Sequence, residues 1–311
     1  MGRYLRKRII ISVSILFVIL LMLFLLMQFM PGSPFNYAKL SKEQVAALKE
    51  SYGLDEPVIV QFFRYIGKML RGDLGVSYSI SPNTPITTLL VNRFPVTLRI
   101  GFLSLVLGTA AGLVLGLITA FFKSRVIKVL FNFITLLGIA VPSYMFAMFF
   151  SWTLGYKWKI FPMLYDFRSP TFSSVMPILA LSLSVMAIIG QFTKAEARDV
   201  MKSDYVLLAK CTGMKSSTII IKYILRNSLI PVITIMASLL VSLLTGSLVI
   251  EKMFAVPGIG GLLTTAISSN DYSVVIALSF VYSALYIVVM LILDLLYCII
   301  DPRVRLGGKP D

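Results

Sequence analysis

This 311-residue chain has 14 aspartates and glutamates, two cysteines and no histidine with which to do chemistry. The lack of histidine removes Ser-His-Asp triads, imidazole general bases and histidine metal ligands. Cys211 and Cys298 are isolated from each other in sequence and make no disulfide framework. A phosphate loop needs Gly-x-x-x-x-Gly-Lys-Ser/Thr, so that backbone N–H groups can surround the phosphates. Gly213-Met214-Lys215-Ser216 has the wrong spacing, and Gly308-Lys309 runs into Pro310. The chain is therefore expected to bind no nucleotide in that manner, to carry no cofactor or metal of its own, and not to be an enzyme. Asp294 ends an apolar run, and an acid inside a membrane is a functional candidate by default. A single acid near the end of a span reads as an anchor. An intramembrane hydrolase would need a nucleophile with its base, or paired acids, and the apolar runs offer neither.

The elements that must position these groups are membrane spans. Hydrophobic residues make up 58% of the chain and charged ones 14%, with mean hydropathy +0.89; a soluble domain carries about 25% charged residues. The net charge of +15 sits in short blocks between apolar runs. That is a topology signal and not a nucleic-acid-binding stripe. Uncharged runs cover 9–30, 100–122, 129–156, 169–193, 227–250 and 272–293. Each reaches the roughly 20 residues needed to cross about 30 Å of hydrocarbon, and helices satisfy the backbone there. The expectation is an all-α integral membrane fold with six transmembrane helices.

Arg3, Arg6, Lys7 and Arg8 precede the first run, which is longer than the core of a secretory signal, so it reads as a retained span. Lys and Arg crowd the N-terminus, 123–128, 194–226 and the C-terminal tail. Lys157, Lys159 and Arg168, then Lys252, sparsely mark the short loops on the other side. This places both termini and a 194–230 loop in the cytoplasm, where Cys211 and Cys298 would stay reduced.

The chain divides into 1–30, with the first span, an external helical segment over 31–99, and a five-helix core over 100–311. Within 31–99, Ser41 and Gln44 fit a capping box. A second helix opens after Pro57, its Phe62, Phe63 and Tyr65 suited to the headgroup layer. Gly72 and Gly75 then break the chain. The segment reads equally as a lid or as a docking surface for an external protein. Gly108, Gly112 and Gly116 recur every four residues, so one helix face lacks side chains and a neighbour can approach closely. Pro142, after Gly138, should kink the third span. Residues 251–263, EKMFAVPGIGGLL, read as a tight external turn, with a re-entrant segment as the alternative.

The longest polar interruption in the C-terminal half is 204–231, DYVLLAKCTGMKSSTIIIKYILRNSLIP. Ser203 or Asp204 can cap a helix over 205–212, Gly213 can end it in the left-handed conformation, and Ser216 or Ser217 can cap a second. Helix, glycine elbow, helix is the shape of a knob for a groove on another protein.

DYVLLAKCTG with ILRNSLIPV resembles the cytoplasmic coupling loop of ABC-importer permeases, and in particular the B-type permease of oligopeptide, dipeptide and nickel importers. Leu207, Leu208 and Ala209 stand where the general Glu-Ala-Ala-x-x-x-Gly pattern has Glu-Ala-Ala, a departure usual in the peptide subfamily. YGLDEPVIVQFFRYIGKMLRGDLGVSY, the 251–263 run, and Asp294-Leu-Leu-Tyr with Asp301-Pro-Arg-Val-Arg305 resemble the same subfamily. The resemblance implies a type I ABC-importer transmembrane domain in a bacterial inner membrane, with a coupling helix between spans 4 and 5. Tyr205, Leu207, Leu208, Ala209, Lys210, Gly213, Met214 and Lys215 would meet the ATPase. The implied partners are a second homologous permease, two cytoplasmic ATPases holding ATP and Mg, an external substrate-binding lipoprotein, membrane lipid and a peptide substrate. A dipeptide or nickel-complex cargo and a proton-coupled secondary carrier are the alternatives.

Overall fold

The computed structural model describes residues 2–29, 56–122 and 124–300. The expected capping box at Ser41 and Gln44 and the motif beginning at Asp301 lie outside the described residues, as do the side chains of Asp294 and Cys298. The principal helices are α1 (Gly2–Phe29), α2 (Val58–Leu70), α3 (Ile86–Phe121), α4 (Arg125–Ala140) and α5 (Ser143–Phe150), which continues as a π-helical stretch over Ser151–Lys157. After the single turn Pro170–Ser173 come α6 (Val175–Met201), α7 (Asp204–Cys211), a π-helical stretch Ile219–Leu225, α8 (Arg226–Gly246), α9 (Leu248–Met253), α10 (Ile259–Ser268) and α11 (Tyr272–Ile300).

Among the described residues, four unbroken helical stretches are long and apolar enough to cross a membrane: Arg8–Leu25, Ile86–Phe121, Pro170–Met201 and Tyr272–Ile292. Two bent pairs bring the number to six when each pair is counted as one span. The helices overrun the apolar runs. α3 starts well before residue 100 and carries Pro95 inside it, and α6 continues to Met201, inside the stretch read as a loop.

The third span is broken, where sequence suggested a kink. Its two halves, Arg125–Ala140 and Ser143–Lys157, meet at 103°. Val141 is extended, at ψ 123°, and Pro142 is the N-cap of α5. The ring of a proline disfavours helical backbone in the residue before it, so the chain leaves the helix at Val141 and Pro142 opens a new one. The 251–263 turn is also more helical than expected. Only 254–258 is non-helical, with Ala255 at φ 53°, between the end of α9 and the start of α10.

By mutual packing the described residues fall into two units, one within Met1–Val96 and Pro257–Leu291, the other within Thr97–Val256 and Ile292–Asp311. In the first, α2 lies on α1: the Phe62 ring is 5.5 Å from both Phe17 and Phe24. Phe62, Met69, Ile86, Ile259, Leu262, Val274 and Leu278 share one buried cluster. A buried carboxylate holds the loop after α2. Asp271, just before α11, accepts from Ser77 Oγ at 2.5 Å and from the N–H groups of Tyr78, Ser79 and Ile80 at 3.1, 2.9 and 3.1 Å. Three successive N–H groups make an anion-binding concavity, filled here by the protein's own acid. Burial, then the nearby Tyr78 and Asp73, pushes the Tyr65 phenol above its usual range, so it remains a hydroxyl donor.

In the second unit the glycine face of α3 meets α6. A Cβ on Gly108 would lie 2.6 Å from the Ser182 carbonyl oxygen, one on Gly112 2.8 Å from that of Met186, and one on Gly116 2.6 Å from that of Gly190. Backbone cannot yield as a flexible side chain can, so at each point the two helices touch main chain to main chain. Gly138 of α4 also lies close against α6: a Cβ there would fall 2.6 Å from Ala187 Cβ and 3.1 Å from the Leu183 carbonyl oxygen. Glu251 of α9, 1% exposed, accepts from Thr97 Oγ1 at 2.7 Å and Ser247 Oγ at 3.0 Å.

Candidate functional site

The elbow after α7 is built from backbone upward. Gly213 sits at φ +72°, a region that costs residues with a Cβ and suits glycine. That turn lets Gly213 N–H donate to the Lys210 carbonyl at 3.1 Å and Met214 N–H to the Ala209 carbonyl at 3.2 Å. The two crossed bonds are the Schellman motif, which satisfies carbonyls left open at a helix end. Thr212 adds its hydroxyl to the Ala209 carbonyl at 3.0 Å.

Neither helix start uses the side-chain cap that sequence allowed. Ser203 occupies the N-cap of α7, but its hydroxyl donates backwards to the Val200 carbonyl at 2.6 Å. At the second start Lys215 is the N-cap, Ser216 is already helical, and no side chain caps it.

α7 is anchored through two residues. Val206, fully buried, and Ala209, 4% exposed, point into a cluster with Ala197, Ile219 and Ile224, flanked by Leu117, Phe121 and Val200 at the ends of α3 and α6. The i, i+3 spacing puts them on one face. Tyr205 and Tyr223 stack at 6.5 Å and 28°, joining α7 to the π-helical stretch. Asn227 donates to the Tyr223 carbonyl at 2.8 Å and to the Tyr205 hydroxyl at 3.4 Å. Sequence reading missed Tyr223 and Asn227; a lone amide at the head of an apolar run was the available signal.

The opposite face is open. Leu207 and Leu208 are 60% and 65% exposed, Tyr205 and Met214 are exposed too, and Lys210, Gly213 and Lys215 complete the same outer surface. Of the residues expected to contact a partner, Ala209 alone points inward. The basic end of the bundle lies close by. Lys194 donates to Asn132 Oδ1 at 2.8 Å with its ammonium 4.9 Å from the Phe131 ring, and Arg198 donates to the Thr119 carbonyl at 3.4 Å. A cation there complements the negative end of α3.

Among the described residues the chain is a multi-span helical bundle with an anchored knob at one end. The chain belongs to the family described as "Binding-protein-dependent transport system inner membrane component", whose pattern matches residues 112–306, while the matching N-terminal family covers 1–101. It is 39% identical over 307 residues to the dipeptide transport system permease protein DppB of Lactococcus lactis subsp. cremoris, covering 98% of this chain and 100% of that one. It is 30% identical over 316 residues to the oligopeptide transport system permease protein AppB of Bacillus subtilis, covering 98% and 100%. In fold it is similar to a chain of an amino acid ABC transporter crystallised with histidines, with TM-score 0.53 at 15% identity, over 68% of this chain and 93% of that one.

Proposed function

We propose that this chain is one permease subunit of an ATP-driven importer of short peptides. It forms the membrane pathway with a second, homologous permease and takes its motion from two cytoplasmic ATPases. The orientation that follows from Lys and Arg puts both termini and α7 in the cytoplasm, and an external binding protein delivers the cargo.

The observation that carries this reading is the shape of the α7 elbow. Val206 and Ala209 fix it from beneath, the Schellman bonds fix its end, and Leu207, Leu208 and Met214 stand out from it. A loop needed only for connection would not expose bulky apolar residues on a rigid turn, since exposed apolar surface favours burial against something. An ATPase groove that closes on ATP would push this knob, and α7 would pass the push to α3 and α6 through the cluster beneath it. Magnesium and ATP belong to the ATPase subunits. The relatives named for dipeptide transport support a dipeptide or slightly longer cargo.

Proteoliposomes test the reading. Uptake of a labelled dipeptide is expected only with both permeases, both ATPases, the binding protein and ATP. Uptake by this chain alone, driven by a proton gradient, would overturn the proposal in favour of a secondary carrier.

A further inference from the structure

The circumference of α2 is divided into three sectors. Phe62 and Met69, 2% and 4% exposed, turn into the cluster with α1. Ile59, Phe63 and Leu70 form an outward apolar stripe at 69%, 58% and 79% exposure, with Val60 beside them. At 3.6 residues per turn, Arg64, Lys68 and Arg71, all exposed, fall between that stripe and the buried sector. Among the described residues, the acids flanking α2 are engaged locally. Glu56 pairs with Arg64, and Asp73 accepts from Gly75 N–H at 2.9 Å. Lys68 and Arg71 give the basic sector its positive charge.

We propose that α2 is an interfacial helix that binds anionic phospholipid, with Ile59, Phe63 and Leu70 among the acyl chains and Lys68 and Arg71 on the phosphates. Its depth is set by its neighbours. Phe24, towards the far end of the first apolar run, lies 6.5 Å from the Tyr65 ring. The Tyr65 hydroxyl donates to the carbonyl of Ser273, the second residue of α11, at 3.5 Å. Ser273 marks the membrane boundary opposite the N-terminus, and Phe62 meets Phe17 and Phe24 deeper in the first apolar run, so the outward stripe of α2 lies at the level of lipid. An apolar stripe bordered along one edge by Lys and Arg is the pattern of a helix lying in the plane of the interface, and basic residues there draw anionic headgroups. A docked protein would instead have to cover Leu70 and Ile59 at opposite ends of one bare helix face. The inference does not depend on the cargo proposed above.

Photocrosslinking tests it on the full chain, purified with its partner subunits into nanodiscs of equal phosphatidylcholine and phosphatidylglycerol. p-Benzoylphenylalanine replaces Phe63, and in a second variant Leu70; mass spectrometry then identifies what is captured on irradiation. Lipid adducts are expected at both positions, with phosphatidylglycerol exceeding phosphatidylcholine about fivefold or more. Lys68→Gln with Arg71→Gln should bring that ratio to about one. Capture of a protein subunit instead of lipid would overturn the proposal, as would equal capture of the two lipids by the parent. Absence of any adduct, while the same probe at the exposed Val13 of α1 captures lipid, would show that α2 faces water and would also overturn it.

Discussion

Substitution of Gly213 separates the shape of the elbow from its mere presence. The residue sits at φ +72°, and nothing lies within 4 Å of the position a Cβ would take. A Cβ there meets no neighbour, so the first cost of a substitution is conformational. Left-handed backbone costs an L-residue roughly 1–2 kcal/mol, with Asn the best tolerated after Gly, and β-branched residues fare worst. Since about 1.4 kcal/mol is tenfold, Gly213→Ala should lower the occupancy of the Schellman geometry roughly fivefold to thirtyfold, and Gly213→Val further. Gly213→Asn should stay near the parent. Gly213 is exposed, and strain at the elbow leaves the contacts between the spans in place, so membrane level and assembly should hold. The assay is dipeptide uptake and peptide-stimulated ATP hydrolysis at matched amounts of complex. Both should fall together in the order Gly, Asn, Ala, Val. Parent-like uptake by Gly213→Val would refute the need for a fixed elbow. If Asn fell as far as Val, side-chain bulk and not backbone would be the cause.

Gly112 gives the opposite case: Gly112→Ala sets a Cβ 2.8 Å from the Met186 carbonyl oxygen and 3.0 Å from Gly190 N. The helices would have to part, at an overpacking cost of about 1–3 kcal/mol, so complex yield and thermal midpoint in detergent should drop, while Gly213→Ala leaves both unchanged. Asp271→Asn puts an NH2 group among N–H donors and costs about 1–3 kcal/mol for each donor left without an acceptor. Hydrogen exchange at Tyr78, Ser79 and Ile80 should accelerate by tenfold or more, with Val206 and Ala209 unaffected. Cys211 is exposed, and the proposed orientation expects a membrane-impermeant maleimide to label it in inside-out vesicles but not in intact cells; labelling in intact cells would reverse that orientation.

The spans and the glycine elbow after α7 were legible because each leaves a local mark. An uncharged run of sufficient length has few other fates, and a glycine after a short polar-capped run predicts where a helix stops. What stayed hidden depends on partners distant in sequence. Asp271 has no neighbouring motif, and the amides it holds are more than 190 residues away. Glu251 read as part of a tight external turn because one of its hydroxyl donors, Thr97, lies 154 residues before it. Pro142 showed that something happens in the third span, but a proline inside an apolar run is compatible with a kink or with a full break. The extended backbone of Val141 decides between them. Ala209 was grouped with its exposed neighbours because eight residues of α7 are too few for a periodicity to declare which face is inward.

The main-chain contact between α3 and α6 has a mechanical consequence. Two helices separated by side chains can shear, because rotamers adjust as the surfaces slip. Here the glycine face already seats against the carbonyls of Ser182, Met186 and Gly190 and the branched carbons of Val185, Ile189 and Thr193, so a slip of one residue, about 1.5 Å, would drive those atoms against the side chains that flank Gly108, Gly112 and Gly116. The pair is therefore stiff along its length and behaves as a single strut. A strut passes on displacement without absorbing it, so the compliance of this unit must lie in its joints. Among the described residues the sharpest of these is the 103° corner at Val141 and Pro142, and the widened turns of Ser151–Lys157 and Ile219–Leu225 are further ones. Stiffening those corners should slow the cycle without loosening the bundle.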